Sequence, residues 1–92
     1  MINKHNVTQI ARDGGFYLRG DLSTKTSAFM RFDNGAQSFI YIEILFDEET
    51  KSVRIQIPSI NILNDKHMYE FRDEYQKAML VRENLLELLT HH

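Results

Sequence analysis

Two apolar alternations in the middle of the chain constrain its fold more than any other feature. Every second residue is apolar over residues 40–46 and again over residues 53–57. Side chains of a strand point to alternate faces, so each run predicts a strand with one fully apolar face. Pairing Phe46 with Val53 brings both apolar sets to the same face, whereas a slip of one residue would separate them. We therefore predict a hairpin over residues 37–58.

The chain before this hairpin predicts further strands. Residues 16–22 alternate apolar with polar side chains, and residues 27–33 read as another strand. Residues 1–15 fit either a helix capped by Gly14 or a strand that turns back at the same glycine, and we favour the strand.

The dipeptide Asn34-Gly35 predicts how residues 27–33 join the central hairpin. Asn-Gly between apolar alternations is typical of a type I′ turn, whose two central residues need positive φ. Such a turn pairs Phe29 with Ile40 and places both on the aliphatic face of the sheet. The second face then also becomes largely apolar, through Met30, Phe32, Phe39, Tyr41 and Leu45. A sheet with two apolar faces needs a cover on both.

The C-terminal third predicts one long helix, capped at residues 64–65 and reaching about Thr90. Val81 and Leu88 lie off its main apolar stripe and give it a second, weaker apolar surface. The chain therefore predicts a single α+β domain over residues 1–92. Its architecture is an antiparallel β-meander sheet of four to five strands packed against one long C-terminal α-helix.

One helix covers one face of the sheet, so we expect a second chain or a binding partner to cover the other face. A two-fold homodimer would cover that face and the exposed helix surface at once. We predict a partner or dimer interface formed by Met30, Phe32, Phe39, Tyr41, Leu45, Val81 and Leu88. The alternative is that the N-terminal segment folds over the second face.

Two charged residues interrupt these apolar surfaces. Arg82 falls at the centre of the helical stripe, and Glu43 lies among apolar neighbours on the second sheet face. If the helix packs on that face, they could form a buried ion pair. The alternative, which we favour, is that Arg82 lies past the sheet edge and reaches water along its aliphatic stem.

Composition and motifs exclude several classes of function. A formal net charge of −2 gives no electrostatic reason to expect nucleic acid or an anionic membrane as a partner. The absence of cysteine excludes disulfides and thiolate chemistry. The histidines have no metal-ligand spacing, and no phosphate loop or nucleophile elbow is present, so we expect no metal, no cofactor and no enzymatic activity. No segment predicts a membrane span or a signal peptide, so we expect a cytoplasmic location.

These observations predict a non-enzymatic protein-interaction module, homodimeric, that regulates or inhibits a protein target. One alternative is a protein that binds single-stranded nucleic acid on its aromatic sheet face, where Arg31 and Arg54 could contact phosphates. A further alternative is a small ligand-binding protein or enzyme with a pocket between sheet and helix.

Overall fold

The protein has an α+β architecture, seen in a computed structural model that describes residues 3–35, 40–57 and 72–90. Four strands form one antiparallel sheet in sequential order, β1-β2-β3-β4. The elements in chain order are α1 (Lys4–Asp13), β1 (Tyr17–Asp21), β2 (Ser27–Asp33), β3 (Tyr41–Asp47), β4 (Ser52–Gln56) and α2 (Arg72–Thr90). The predicted antiparallel meander with a C-terminal helix is confirmed. The predicted helix start at residues 64–65 lies outside the described residues.

The N-terminal segment forms the helix α1, so the strand that we favoured there is wrong. The Asn3 side chain caps the helix by accepting a hydrogen bond from the Asn6 amide at 3.1 Å. At the other end the Gly14 amide donates to the Ala11 carbonyl at 3.1 Å. Val7 and Ala11, four residues apart, are both fully buried. The helix forms because this spacing puts both side chains on one face, against the core.

The hairpin of β3 and β4 has the predicted register. Phe46 lies opposite Val53 and Ile44 lies opposite Ile55, so the aliphatic sets of the two strands share one face. Lys51, in the turn between the strands, has a positive φ of 56°. The alternation on both strands excludes every odd shift of this register, because an odd shift would put the two apolar sets on opposite faces.

The register predicted between β2 and β3 is wrong. Phe29 lies opposite Leu45 and not Ile40, a shift of five residues, and the strands are joined by a longer connection from residue 34 to residue 40. Within the Asn34-Gly35 pair only Gly35 has a positive φ, 81°, so no type I′ turn forms. An odd shift exchanges the faces of β2, which places its even-numbered residues opposite Ile42, Ile44 and Phe46.

This exchange gives the sheet one strongly apolar face, which we call the inner face. Both helices pack against the inner face, so the predicted alternative with the N-terminal segment on the second face is also wrong. On α2 the buried positions are Tyr75, Ala78, Val81 and Leu85. The orientation of the helix about its axis therefore differs from the predicted one. Val81, predicted to lie off the main apolar stripe, is buried, whereas Met79 is 46% exposed. The core joins α1, α2 and the inner face through Val7, Ala11, Phe16, Met30, Phe32, Ile40, Ile42, Ile44, Ile55, Ile57, Tyr75, Ala78, Val81 and Leu85.

Candidate functional site

The face of the sheet opposite the helices is the candidate functional site, and we call it the outer face. Because side chains alternate along a strand, its residues are those between the buried inner-face positions. Most of them are half-buried, Asp33 is buried, and Ser52 and Arg54 are exposed. The outer face consists of Ser27, Phe29, Arg31, Asp33, Tyr41, Glu43, Leu45, Asp47, Ser52, Arg54 and Gln56.

The structure divides the predicted interface residues between the two sides of the sheet. Met30 and Phe32 are fully buried on the inner face, and Val81 of α2 is 1% exposed in the same core. These three are therefore core residues and cannot contact a partner. Tyr41 and Leu45 are half-buried on the outer face.

The predicted interface also included Leu88 and Phe39. Leu88 is half-buried and packs against the core from α2, on the inner side of the sheet. Phe39 lies outside the described residues. Of the predicted set, Tyr41 and Leu45 are thus the two that the structure brings together on the outer face.

Glu43 and Arg82 do not meet, because α2 packs on the inner face whereas Glu43 lies on the outer face. Glu43 is opposite Arg31 on β2 and Gln56 on β4. The Nε of Arg82 donates a hydrogen bond to the carbonyl of Ile55 at 3.0 Å. Since β4 is an edge strand, this contact gives one of its backbone acceptors a partner and ties α2 to the edge.

Arg31 is a half-buried arginine that lies over an aromatic ring of the outer face. Its guanidinium carbon lies 3.9 Å from the centroid of the Tyr41 ring, a cation–π contact. Its Nε is buried and has no hydrogen-bond acceptor among the described residues. A buried donor without an acceptor is costly, so this nitrogen marks a place where an anion or a polar group would stabilise the protein.

Arg19 holds a second guanidinium group at the β1 side of the outer face. The register of β1 against β2 shifts between Leu18 and Gly20, so Arg19 sits at a β-bulge, a feature that re-aims side chains. Its Nε lies 2.7 Å from Oδ1 of Asp33, and the same oxygen accepts from the Gly35 amide at 2.9 Å. This ion pair is part-buried and fixes the base of the Arg19 side chain.

Gly35 allows Arg19 to adopt this position. A Cβ atom on Gly35 would lie 2.7 Å from an Nη of Arg19, too close for any other residue without displacement of the arginine. Gly35 also has a φ of +81°, which side-chain-bearing residues rarely adopt. Gly35 therefore meets a backbone requirement at this position and also leaves room for the end of the Arg19 side chain.

The two arginines border a groove of about 620 Å³ on the outer face. It lies across β1, β2 and the residues that follow each strand. The lining residues are Arg19, Gly20, Leu22, Phe29, Arg31, Asp33 and Gly35. Volumes of this order are typical of small-molecule sites.

The outer face mixes both signs of charge. With Arg19, it carries three arginines and the three carboxylates of Asp33, Glu43 and Asp47, and it is therefore neutral in a protein of formal charge −2. The interface residues predicted from the sequence contained none of these arginines. One signal was available: on β2 the even positions are all apolar, whereas the odd positions include Arg31 and Asp33.

The described residues form neither a cluster of metal ligands nor a membrane-spanning helix. Within residues 3–35, 40–57 and 72–90, no three His, Asp or Glu side chains come together as metal ligands. The helices of that part of the chain are too short or too polar to cross a membrane. Scans against protein-family models, curated proteins and solved structures found no match to this chain.

Proposed function

We propose that this chain is a non-enzymatic protein-interaction module whose contact surface is the outer face. One observation carries the proposal. Neither α1 nor α2 packs on the outer face. That face presents the half-buried aromatic residues Phe29 and Tyr41 beside Arg31. Aromatic residues and arginine are the side chains enriched in protein interfaces.

The composition of the outer face supports a transient contact and not a permanent one. Permanent dimer interfaces resemble a hydrophobic core, whereas this face mixes three carboxylates and two arginines with its apolar residues. Four strands about 4.8 Å apart, two of them about 23 Å long and two about 17 Å long, give a face of roughly 380 Å². A standard interface covers about 800 Å² on each partner, so this face alone supports weak association.

We further propose that a second copy of the chain is one partner of this face. A two-fold contact requires a surface that is complementary to itself. Arg31 and Glu43 lie opposite each other on adjacent strands, so a rotated second copy can set each arginine against the partner's carboxylate. A regulator or inhibitor acting in the cytoplasm fits such a module, and the cysteine-free composition is compatible with that location.

The alternative of single-stranded nucleic acid has weaker support. Proteins of that kind offer open aromatic faces on which bases stack. Here the Arg31 guanidinium already lies over the Tyr41 ring. A base could stack on that face only after the arginine had moved away. The remaining alternative, a pocket between sheet and helices, has no support from the inner face, where Ile42, Ile44 and Leu85 are fully buried.

Sedimentation equilibrium from micromolar to millimolar protein concentration tests the proposal. We expect reversible association to a dimer, and we expect Tyr41→Ser to weaken it because both the ring and its stacked arginine contribute to the contact. Leu80→Ser is the matched control, since Leu80 is 59% exposed on α2, away from the outer face. A monomer at every concentration, or equal weakening by both variants, would contradict self-association through this face.

A further inference from the structure

We propose that the groove between Arg19 and Arg31 binds the carboxylate of a small molecule that has an apolar body. This inference goes beyond the protein-interaction function, because it assigns a ligand to a groove that occupies only the β1–β2 side of the outer face. The groove combines two arginines with Leu22 and Phe29. Small-molecule sites characteristically pair an apolar wall with a few placed polar groups.

The two guanidinium groups are held in place before any ligand arrives. Arg19 is fixed by its bond to Asp33, at 2.7 Å. Arg31 is fixed by stacking on Tyr41, at 3.9 Å from the ring centroid. Both contacts hold an arginine through its Nε or its flat face, and neither requires the terminal Nη groups. Arginines held in this way lose little freedom when they bind a carboxylate, so binding costs less entropy.

The charge of the groove matches one negative charge. Arg19 and Arg31 contribute two positive charges and Asp33 contributes one negative charge, so the lining has a surplus of one. A carboxylate neutralises this surplus, whereas a phosphate monoester with a charge of about −1.5 to −2 would exceed it. The buried Nε of Arg31 also has no hydrogen-bond acceptor among the described residues.

The apolar side of the groove accounts for the body of the ligand. Leu22 is 76% exposed, which is high for a large aliphatic side chain, and it follows β1 directly. Its amide donates to the Phe29 carbonyl at 2.9 Å, which keeps the two residues side by side on neighbouring strands. A short alkyl chain placed between them would remove apolar surface from water.

Amide chemical shifts of the ¹⁵N-labelled full chain, titrated with sodium hexanoate, test this inference. The protein is kept dilute, so that self-association does not enter the result. We expect saturable shifts in residues 19–22 and 29–35, and much weaker binding of the neutral analogue hexanamide. Arg31→Gln and Arg19→Gln should each weaken hexanoate binding about tenfold, the loss expected for one charge-assisted hydrogen bond. Arg54→Gln, on the outer face but outside the groove, should leave affinity within about twofold.

Several results would overturn the inference. They are the absence of saturable shifts, equal binding of hexanamide, or equal weakening by Arg54→Gln and Arg31→Gln. Tighter binding of hexyl phosphate than of hexanoate would overturn the assignment to a carboxylate. If the arginine variants do not fold, sodium chloride added to the wild type decides the matter: hexanoate affinity should fall as salt screens the arginines, and an affinity independent of salt would contradict the inference.

Discussion

Replacing the two phenylalanines of β2 one at a time tests which face of this strand is buried. Phe32 is fully buried on the inner face, so Phe32→Ala removes a large core side chain and leaves a cavity. Such changes cost about 3–5 kcal/mol. Phe29 is half-buried on the outer face, so Phe29→Ala loses about half of a transfer free energy, roughly 1 kcal/mol, and leaves no internal cavity.

These magnitudes are large relative to the stability of the protein. A chain of this size has a free energy of unfolding of about 5–14 kcal/mol. With a urea dependence of about 1–1.5 kcal/mol per molar, Phe32→Ala should lower the unfolding midpoint by about 2–5 M and Phe29→Ala by about 1 M or less. Urea denaturation followed by circular dichroism gives both midpoints.

The same pair of variants separates the observed register from the one predicted from the Asn34-Gly35 turn. That predicted register places Phe29 on the aliphatic face of the sheet and Phe32 on the second face, in the predicted interface with a partner. A larger loss of stability in Phe29→Ala than in Phe32→Ala would therefore refute the observed pairing of β2 with β3. If Phe32→Ala does not fold at all, the milder pair Phe32→Leu and Phe29→Leu keeps the comparison measurable.

Three further changes test the packing and electrostatics of the fold. Gly14→Ala should lower the free energy of unfolding by about 1–3 kcal/mol, measured by thermal denaturation. The new Cβ atom would lie 2.1 Å from Cγ2 of Val81 and push α1 away from α2. An unchanged thermal midpoint would contradict this contact. Tyr75→Phe should raise the urea midpoint slightly, because the Tyr75 hydroxyl is buried without a hydrogen-bond partner among the described residues. If the free energy of unfolding fell by more than about 1 kcal/mol instead, the hydroxyl would have a partner. The hydrogen bond from the Ser23 hydroxyl lowers the pKa of Asp21. The ionised carboxylate of Asp21 therefore stabilises the fold above its ordinary pKa, and this contribution disappears as pH falls through the lowered value. The stability difference between wild type and Asp21→Asn should shrink in acid, and a constant difference would contradict the assignment.

The sequence predicts the β3–β4 hairpin and the C-terminal helix because each has a pattern with one consistent solution. In the hairpin both strands alternate, so any odd shift of the observed register would put Ile44 and Ile55 on opposite faces. The helix carries apolar residues at helical spacing up to its end at Thr90. The orientation of this helix about its axis was harder to predict, because Val81 and Met79 are both apolar and lie on different sides of the helix.

The β2–β3 pairing could not be obtained from the turn signal alone. Asn-Gly favours a two-residue turn locally, but that turn would have put Arg31 on the same face as Ile42 and Ile44. Burying a charged arginine in the core costs far more than forming a longer connection. The alternation of β2 itself predicts the observed pairing, because its even positions hold the apolar residues Ala28, Met30 and Phe32.

The candidate site was predictable only in part for the same reason. The outer face and two of its residues, Tyr41 and Leu45, follow from the alternation of β3. The groove depends on a β-bulge at Arg19 and on the contact of Asp33 with that arginine, fourteen positions away in the chain. Neither feature has a local sequence pattern, since both arise when two strands meet in a particular register.

Amide chemical shifts of the wild-type chain, followed from micromolar to millimolar protein concentration, test the central claim most directly. The claim is that the outer face is the contact surface of this protein. We expect concentration-dependent shifts confined to β2, β3 and β4, largest around Arg31, Tyr41 and Glu43. Shifts centred on the exposed Met79 and Leu80 of α2, or no shifts at all, would contradict it.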